Sequence, residues 1–201
     1  MSETQYNYFV AAAVIAAKLD RATKVAQQLS LTASNARAVA LRAGEGAAGF
    51  RPLTDFIDRL ADVTVKSSKQ INFLAASLSK TAAEKFRADS AISRFNTVYQ
   101  RAKDSENISS LDNNFNRTKQ HQSQLILMFQ KQIKQLIDEL DELSGELRTA
   151  VILATLSRVE ASQAGVAYQE SLHNVANNVE SAASIIKKHI QSSQQLVSSL
   201  V

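Results

Sequence analysis

The side chains with most chemistry to offer in this chain are three histidines, a run of carboxylates and a Gln pair near the C-terminus. Asp138, Glu139, Asp141, Glu142 and Glu146 supply the oxygen ligands that hard divalent cations take. A di-metal site inside a helical bundle also needs a pair of Glu-x-x-His motifs, and the sequence has no such pair. Lys18, Arg21, Lys24, Lys66 and Lys69 fall at the same distance from the chain's bends, so inter-helix ion pairs are the expected role of the acids. His121, His173 and His189 are far apart in sequence. His189 falls on an apolar seam, where a packed or pH-sensitive histidine is expected in place of a ligand or base. With no cysteine, disulfides, thiolate metal sites and cysteine nucleophiles are excluded. No glycine-rich phosphate loop or other catalytic motif is present. The expectation is a non-enzyme with no catalytic residue, metal or cofactor.

The elements that hold these residues follow from composition and periodicity. Five glycines and one proline in 201 residues, with much Ala, Leu, Ser, Gln, Lys and Glu, predict an all-helical chain. A net charge of +4 with scattered bases, not interleaved with aromatics, makes no case for nucleic acid. No apolar run approaches the roughly 20 residues of a membrane span, so stable insertion is not expected. The leading "MSETQYN" carries Glu3 and no base, the wrong sign for an export signal. Together with the missing cysteine this fits a cytoplasmic protein.

From Tyr8 an apolar seam in 4–3 alternation runs Tyr8, Ala12, Ile15, Leu19, Ala22, Ala26, Leu29, Ala33, Ala36, Ala40, Ala43. It stops at Gly44 and resumes after Pro52, a residue suited to a first helical turn. The second seam continues through Leu53, Ile57, Leu60, Thr64, Ser67, Ile71, Leu74 and Leu78, then through Lys85 to Tyr99 and Ala102. A polar stretch, 103–114, reads as a connection in which Asp112 is a candidate N-cap. The third seam runs from Phe115, Lys119 and Gln122 through Phe129, Leu140 and Ala154 to Ala164, and Gly165 follows at once. The fourth is Leu172, Val175, Val179, Ala182, Ile186, His189, Ser193, Leu196 and Leu200.

A shift of 121 residues lays the first seam on the third and Gly44 on Gly165; a shift of 122 lays Leu53, Ile57 and Leu60 on Val175, Val179 and Ala182. The chain is an internal duplication of a helical hairpin. A lone hairpin cannot cover both sides of its seam. The predicted fold is therefore all-α, one elongated antiparallel four-helix coiled-coil bundle over 1–201, built from two repeated hairpins. Hairpin repeat 1 spans 1–104 with its bend at about 44–51, and repeat 2 spans 105–201 with its bend at about 165–170. Both bends share one end. The two middle helices, about fifty residues each by their seams, overrun the outer two, so the far end thins to a pair of helices that tolerates Lys85, Lys119 and Gln122.

Three of the five glycines, Gly44, Gly46 and Gly49, and the only proline crowd the first bend. There "LTASNARAVALRAGEGAAGFRPLTDFIDRLA" (31–61) resembles the tip of the cytoplasmic signalling domain of methyl-accepting chemotaxis receptors. The resemblance rests on Leu31, Ala33, Asn35, Ala36, Ala40, Arg42, Ala43, Gly44, Glu45, Gly49, Phe50, Asp55, Leu60 and Ala61, with the RAGE core and its trailing GF the most specific part. The second hairpin fits the same pattern through Leu153, Ala154, Val159, Glu160, Ala161, Ala164 and Gly165. It departs at Leu156, Gln163 and Val166, where the family has Asn, Arg and Glu; in the first hairpin Val39 and Ala48 replace Glu and Arg. Family receptors are homodimers contributing one hairpin per subunit, so this chain resembles a single-chain pseudo-dimer.

The resemblance implies a chemotaxis coupling protein, a histidine kinase, or both, as partners, met at the tip by Asn35, Arg42, Glu45 and Phe50 of one hairpin and Glu160 of the other. Gly44, Gly46, Gly49 and Gly165 are assigned to the bends themselves. Gln194 and Gln195 have the look of the family's modified glutamines, but lie much nearer the bend than those do; a polar surface beside the seam is the simpler reading. Two other readings compete. One is a helical scaffold whose binding depends on helix faces and not on the tip; the other is a bundle that unpacks its Ala-rich first helix onto lipid.

Overall fold

The structure, a computed structural model, describes residues 3–199, with side chains from 10 to 199. The chain is an all-α four-helix bundle: α1 (Glu3–Ala43), α2 (Phe50–Arg101), α3 (Asp112–Gln163) and α4 (Val166–Ser198). Short 3-10 turns at Gly44–Ala47 and Ile108–Leu111 join α1 to α2 and α2 to α3. Each of α1 and α3 packs against both α2 and α4, which leaves α1 and α3 diagonally opposed. The two middle helices are 52 residues each, about 78 Å at 1.5 Å per residue. The outer pair is shorter, 41 and 33 residues.

The seams are the buried faces. Ile15, Leu19, Ala22, Ala26, Leu29, Ala33, Ala36 and Ala40 of α1 are buried, as are Leu136, Leu140, Leu143, Leu147, Ala150, Ala154, Ser157 and Ala161 of α3. Away from the bends the burial moves by one residue. Ala11 replaces Ala12, Ser68 replaces Ser67, Leu125 replaces Ile126, and Ile190 and Val197 replace His189 and Leu196. A helix with 3.6 residues per turn drifts about 20° per heptad against a strict seven-residue repeat, and this is that drift. Tyr8 and Leu200 lie outside the residues whose side chains are described.

Two core sections differ in texture. Toward the bends the core is alanine-rich, with Ala33, Ala36, Ala40, Ala150, Ala154 and Ala161 around Phe50, Leu53, Ile57 and Leu172. Further along lies a belt of larger side chains, including Ile15, Leu19, Ile71, Leu136, Leu140, Leu143 and Ile186. Ser157 is fully buried among the alanines with no partner for its hydroxyl, at the position where the first hairpin has Ala36.

Past the ends of α1 and α4, α2 and α3 run on as a two-helix stalk. Its seam turns polar where the cover stops: Lys85 Nζ donates to Asp89 Oδ2 at 2.8 Å, and Gln122 Nε2 donates across to Asp89 Oδ1 at 2.6 Å. Burial opposes ionisation of Asp89, but the hydrogen bonds from Gln122 and Lys85 outweigh it and hold the carboxyl below its ordinary value. Phe115 stacks edge-on against both Phe95 and Tyr99, which closes the stalk's far end. Asp112 is not the N-cap expected of it. Leu111 holds that position, and the Asp112 carboxylate accepts a 2.7 Å hydrogen bond from the Tyr99 hydroxyl, pushing the Tyr99 pKa up to about 12.

The expected inter-helix pairing of the acidic run is also corrected. Among the described residues none of Asp138, Glu139, Asp141, Glu142 or Glu146 forms an ion pair. Lys18, Arg21 and Lys24 sit on the helix diagonal to α3, and Lys24 and Lys66 pair with Asp20 and Asp62 one turn earlier on their own helices. Asp141 instead accepts a hydrogen bond from Gln194 of α4 at 2.6 Å. Among the described residues no cluster of His, Asp and Glu could hold a metal ion.

His189 is half-buried beside the seam, facing α1. Burial, then the positive charges of Lys18 and Arg21, lower its pKa below the ordinary 6.5. The folded state therefore disfavours the added proton. Above 6.5 both states are neutral here; as pH falls through that value the unfolded chain takes the proton first and stability drops. In urea unfolding, the wild-type midpoint should fall more than that of His189→Gln between about pH 7.5 and pH 5.5, the window bracketing the histidine pKa. Equal falls would show that His189 is freely solvated.

Candidate partner-binding tip

The tip is built by two bends of different design. α1 ends at Ala43, and Gly44 takes the left-handed conformation (φ 65°) that glycine adopts without a Cβ penalty. One 3-10 turn then carries the chain to Gly49 and into α2, with Pro52 in its first turn. The second bend is tighter than the expected 165–170. α3 ends at Gln163 and α4 begins at Val166, so only Ala164 and Gly165, both extended, make the reversal.

The bends touch. A Cβ placed on Gly46 would lie 3.7 Å from the Gly165 nitrogen and 4.0 Å from the Gln163 carbonyl oxygen. One placed on Gly49 would overlap the Glu160 carboxylate, its Cδ only 2.6 Å away. Gly49 is therefore the space that Glu160 occupies. That carboxylate stands at the start of α2, whose N-cap has no side-chain hydrogen bond, and its charge complements the positive end of the helix dipole.

Of the sequence-derived contact residues, Asn35, Arg42 and Glu45 are exposed on one side of the tip. Glu160 is half-buried and ties the hairpins together through Gly49. Phe50 is corrected: it is 0% exposed, the plug of the bundle's end, and presents nothing to a partner. Its counterpart under the 122-residue shift is Leu172, equally buried. Both bends needed one large apolar side chain inside.

Below the tip each hairpin carries an arginine clamp that the sequence reading missed. Arg37 of α1 donates to Asp55 of α2 at 2.6 Å and to Thr54 at 3.3 Å. Arg158 of α3 bridges to Glu180 and donates to Asn177 of α4 at 3.1 Å. The repeat was the available signal. A shift of 121 lays Arg37 on Arg158, and 122 lays Asp55 and Asp58 on Asn177 and Glu180. These pairs are exposed and contribute little stability each, so their role is to select the neighbouring helix. Also missed was the apolar side of the tip, where Ile152, Leu156 and Val159 of α3 and the 90%-exposed Val166 face outward. These occupy the positions that hold Leu31, Asn35, Ala38 and Glu45 in the first hairpin, so the second hairpin is apolar at two tip positions, Leu156 and Val166, where the first has Asn35 and Glu45.

Among the described residues no helix is long and apolar enough to cross a membrane. No known family, curated protein or solved structure matches the chain.

Proposed function

We propose that this chain is a non-catalytic chemosensory signalling or adaptor protein of the cytoplasm. It resembles a single-chain pseudo-dimer of a chemoreceptor signalling tip, and it binds a chemotaxis coupling protein or histidine kinase there. The supporting observation is the apposition of the two bends. The RAGE segment, which carries the resemblance, runs from the last turn of α1 into the bend. Arg42 and Glu45 in it, and Asn35 before it, are open to solvent, and among the described residues neither Arg42 nor Glu45 forms an ion pair. Phe50 and the bend glycines serve the fold; Glu160 joins the two hairpins.

The test is a pull-down with purified coupling protein and kinase. Wild type is expected to retain one of them, and the Arg42→Ala/Glu45→Ala double variant to lose it by at least tenfold while keeping wild-type helicity, since exposed charges add little to folding. Absence of binding by the wild type ends this reading. Binding that ignores the tip substitutions and responds to changes on the helix faces instead supports a scaffold.

A further inference from the structure

α2 carries a second regularity that the core does not use. Arg59, Lys66, Phe73, Lys80, Arg87, Arg94 and Arg101 recur at every seventh position, and all are exposed. With the drift of about 20° per heptad seen in the core, the whole row winds around α2, but its last four members, Lys80 to Arg101, turn by only about 60° and stay on one flank. Along the stalk half, Lys80 to Arg101, the row spans about 32 Å at 1.5 Å per residue. Arg87 and Arg94 line one side of a cleft of about 650 Å³ whose apolar wall is Phe86, Phe95, Val98 and Leu111. Arg87 also lines an adjoining cleft with Arg117 and His121 of α3, and among the described residues Glu84 is the one acid lining either.

Among the described residues none of Lys80, Arg87, Arg94, Arg101 or Arg117 makes an ion pair. The acidic run cannot neutralise them. Gln132 donates to Ser77 at 2.8 Å, which fixes the register, so α2 beyond Lys80 lies opposite α3 residues preceding Phe129, well away from 138–146. Large apolar side chains stand open on the same side. Phe73 takes a position in the same row at 69% exposure, Val98 borders the first cleft, and Met128 reaches toward Thr81 of α2 while remaining half exposed.

We infer that this flank of the stalk docks, as an intact bundle lying along its length, onto an anionic lipid surface. Unpaired cations along one flank meet a plane of anionic headgroups, while Phe73, Val98 and Met128 enter the headgroup layer. Single-stranded nucleic acid suits the site less well, because it stacks its bases on open aromatic platforms. Phe86 and Phe95 are half-buried in the cleft, and among the described residues of this flank Phe73 is the one exposed ring. This surface lies far from the tip and does not depend on what the tip binds.

Co-sedimentation of the 201-residue chain with vesicles decides the matter. Binding is expected to phosphatidylcholine vesicles carrying phosphatidylglycerol, not to phosphatidylcholine alone, and salt should release it. Arg87→Gln should lower partitioning about fivefold and Arg87→Gln/Arg94→Gln about 25-fold, with unchanged helicity. Phe73→Ser should weaken the part of the binding that survives added salt, whereas Arg42→Ala/Glu45→Ala at the tip should leave partitioning as in the wild type. Equal binding to neutral vesicles, indifference to the arginine substitutions, or retention of an oligonucleotide with no affinity for vesicles overturns the proposal.

Discussion

Phe50→Ala is expected to lower the unfolding free energy by about 3–5 kcal/mol, the usual loss for a fully buried phenylalanine, with the urea midpoint falling accordingly. Phe50 is the first residue of α2 and lies at 0% exposure in the alanine-rich core section, where its neighbours are too small to close over a void. Ala36, Ala40, Ala154 and Ala161 hold their backbones close, so shrinking the plug leaves a cavity that the tip must keep or collapse around. Phe50→Leu copies the residue that the second hairpin places at the equivalent position, Leu172, and should cost less than about 1.5 kcal/mol. A loss below about 1 kcal/mol for the alanine variant, the range of an exposed position, would put Phe50 outside the core and return it to the set of partner contacts.

That example marks the border of what the chain declares about itself. Seam period, bend glycines and duplication are local or regularly repeated, and burial follows them from Ile15 to Ala40 and from Leu136 to Ala161 almost position by position. Which helices become neighbours is not a local property. The acids at 138–146 and the bases at Lys18, Arg21 and Lys24 share a level along the bundle, yet the square arrangement sets α1 diagonal to α3 and keeps them apart. An aromatic next to a glycine-rich bend reads equally well as plug or as contact, and only packing decides; for Phe50 it decides on the inside. Asp112 illustrates the same limit at short range, since a carboxylate able to cap its own helix was claimed by a tyrosine from the preceding one. The arginine clamps were legible in principle, because Arg37 and Arg158 coincide under the same shift that aligns the bends.

Leu140→Ala should cost about 2–5 kcal/mol, and the loss should be global, whereas Phe95→Ala should act only on the stalk. Leu140 is 0% exposed in the belt of large side chains, in one cluster with Leu136, Leu143, Leu19, Ile71 and Ile186, drawn from all four helices. Truncating it loosens every helix at once, so amide protons of both hairpins should lose protection in hydrogen exchange. Phe95 sits where only two helices remain. It is half-buried, and its main partner is Phe115, 5.7 Å away in an edge-on contact. Such a ring pair adds about 0.5–1.5 kcal/mol beyond area burial, and solvent already reaches the site. Its loss should raise exchange in the residues flanking the connection between α2 and α3 and leave the belt protected. The two substitutions together separate a bundle with a two-helix extension from one that is covered along its whole length. Were Phe95→Ala to cost as much as Leu140→Ala and deprotect both hairpins, the stalk would have to be packed against something more than its own two helices, and its basic flank would no longer be an open face.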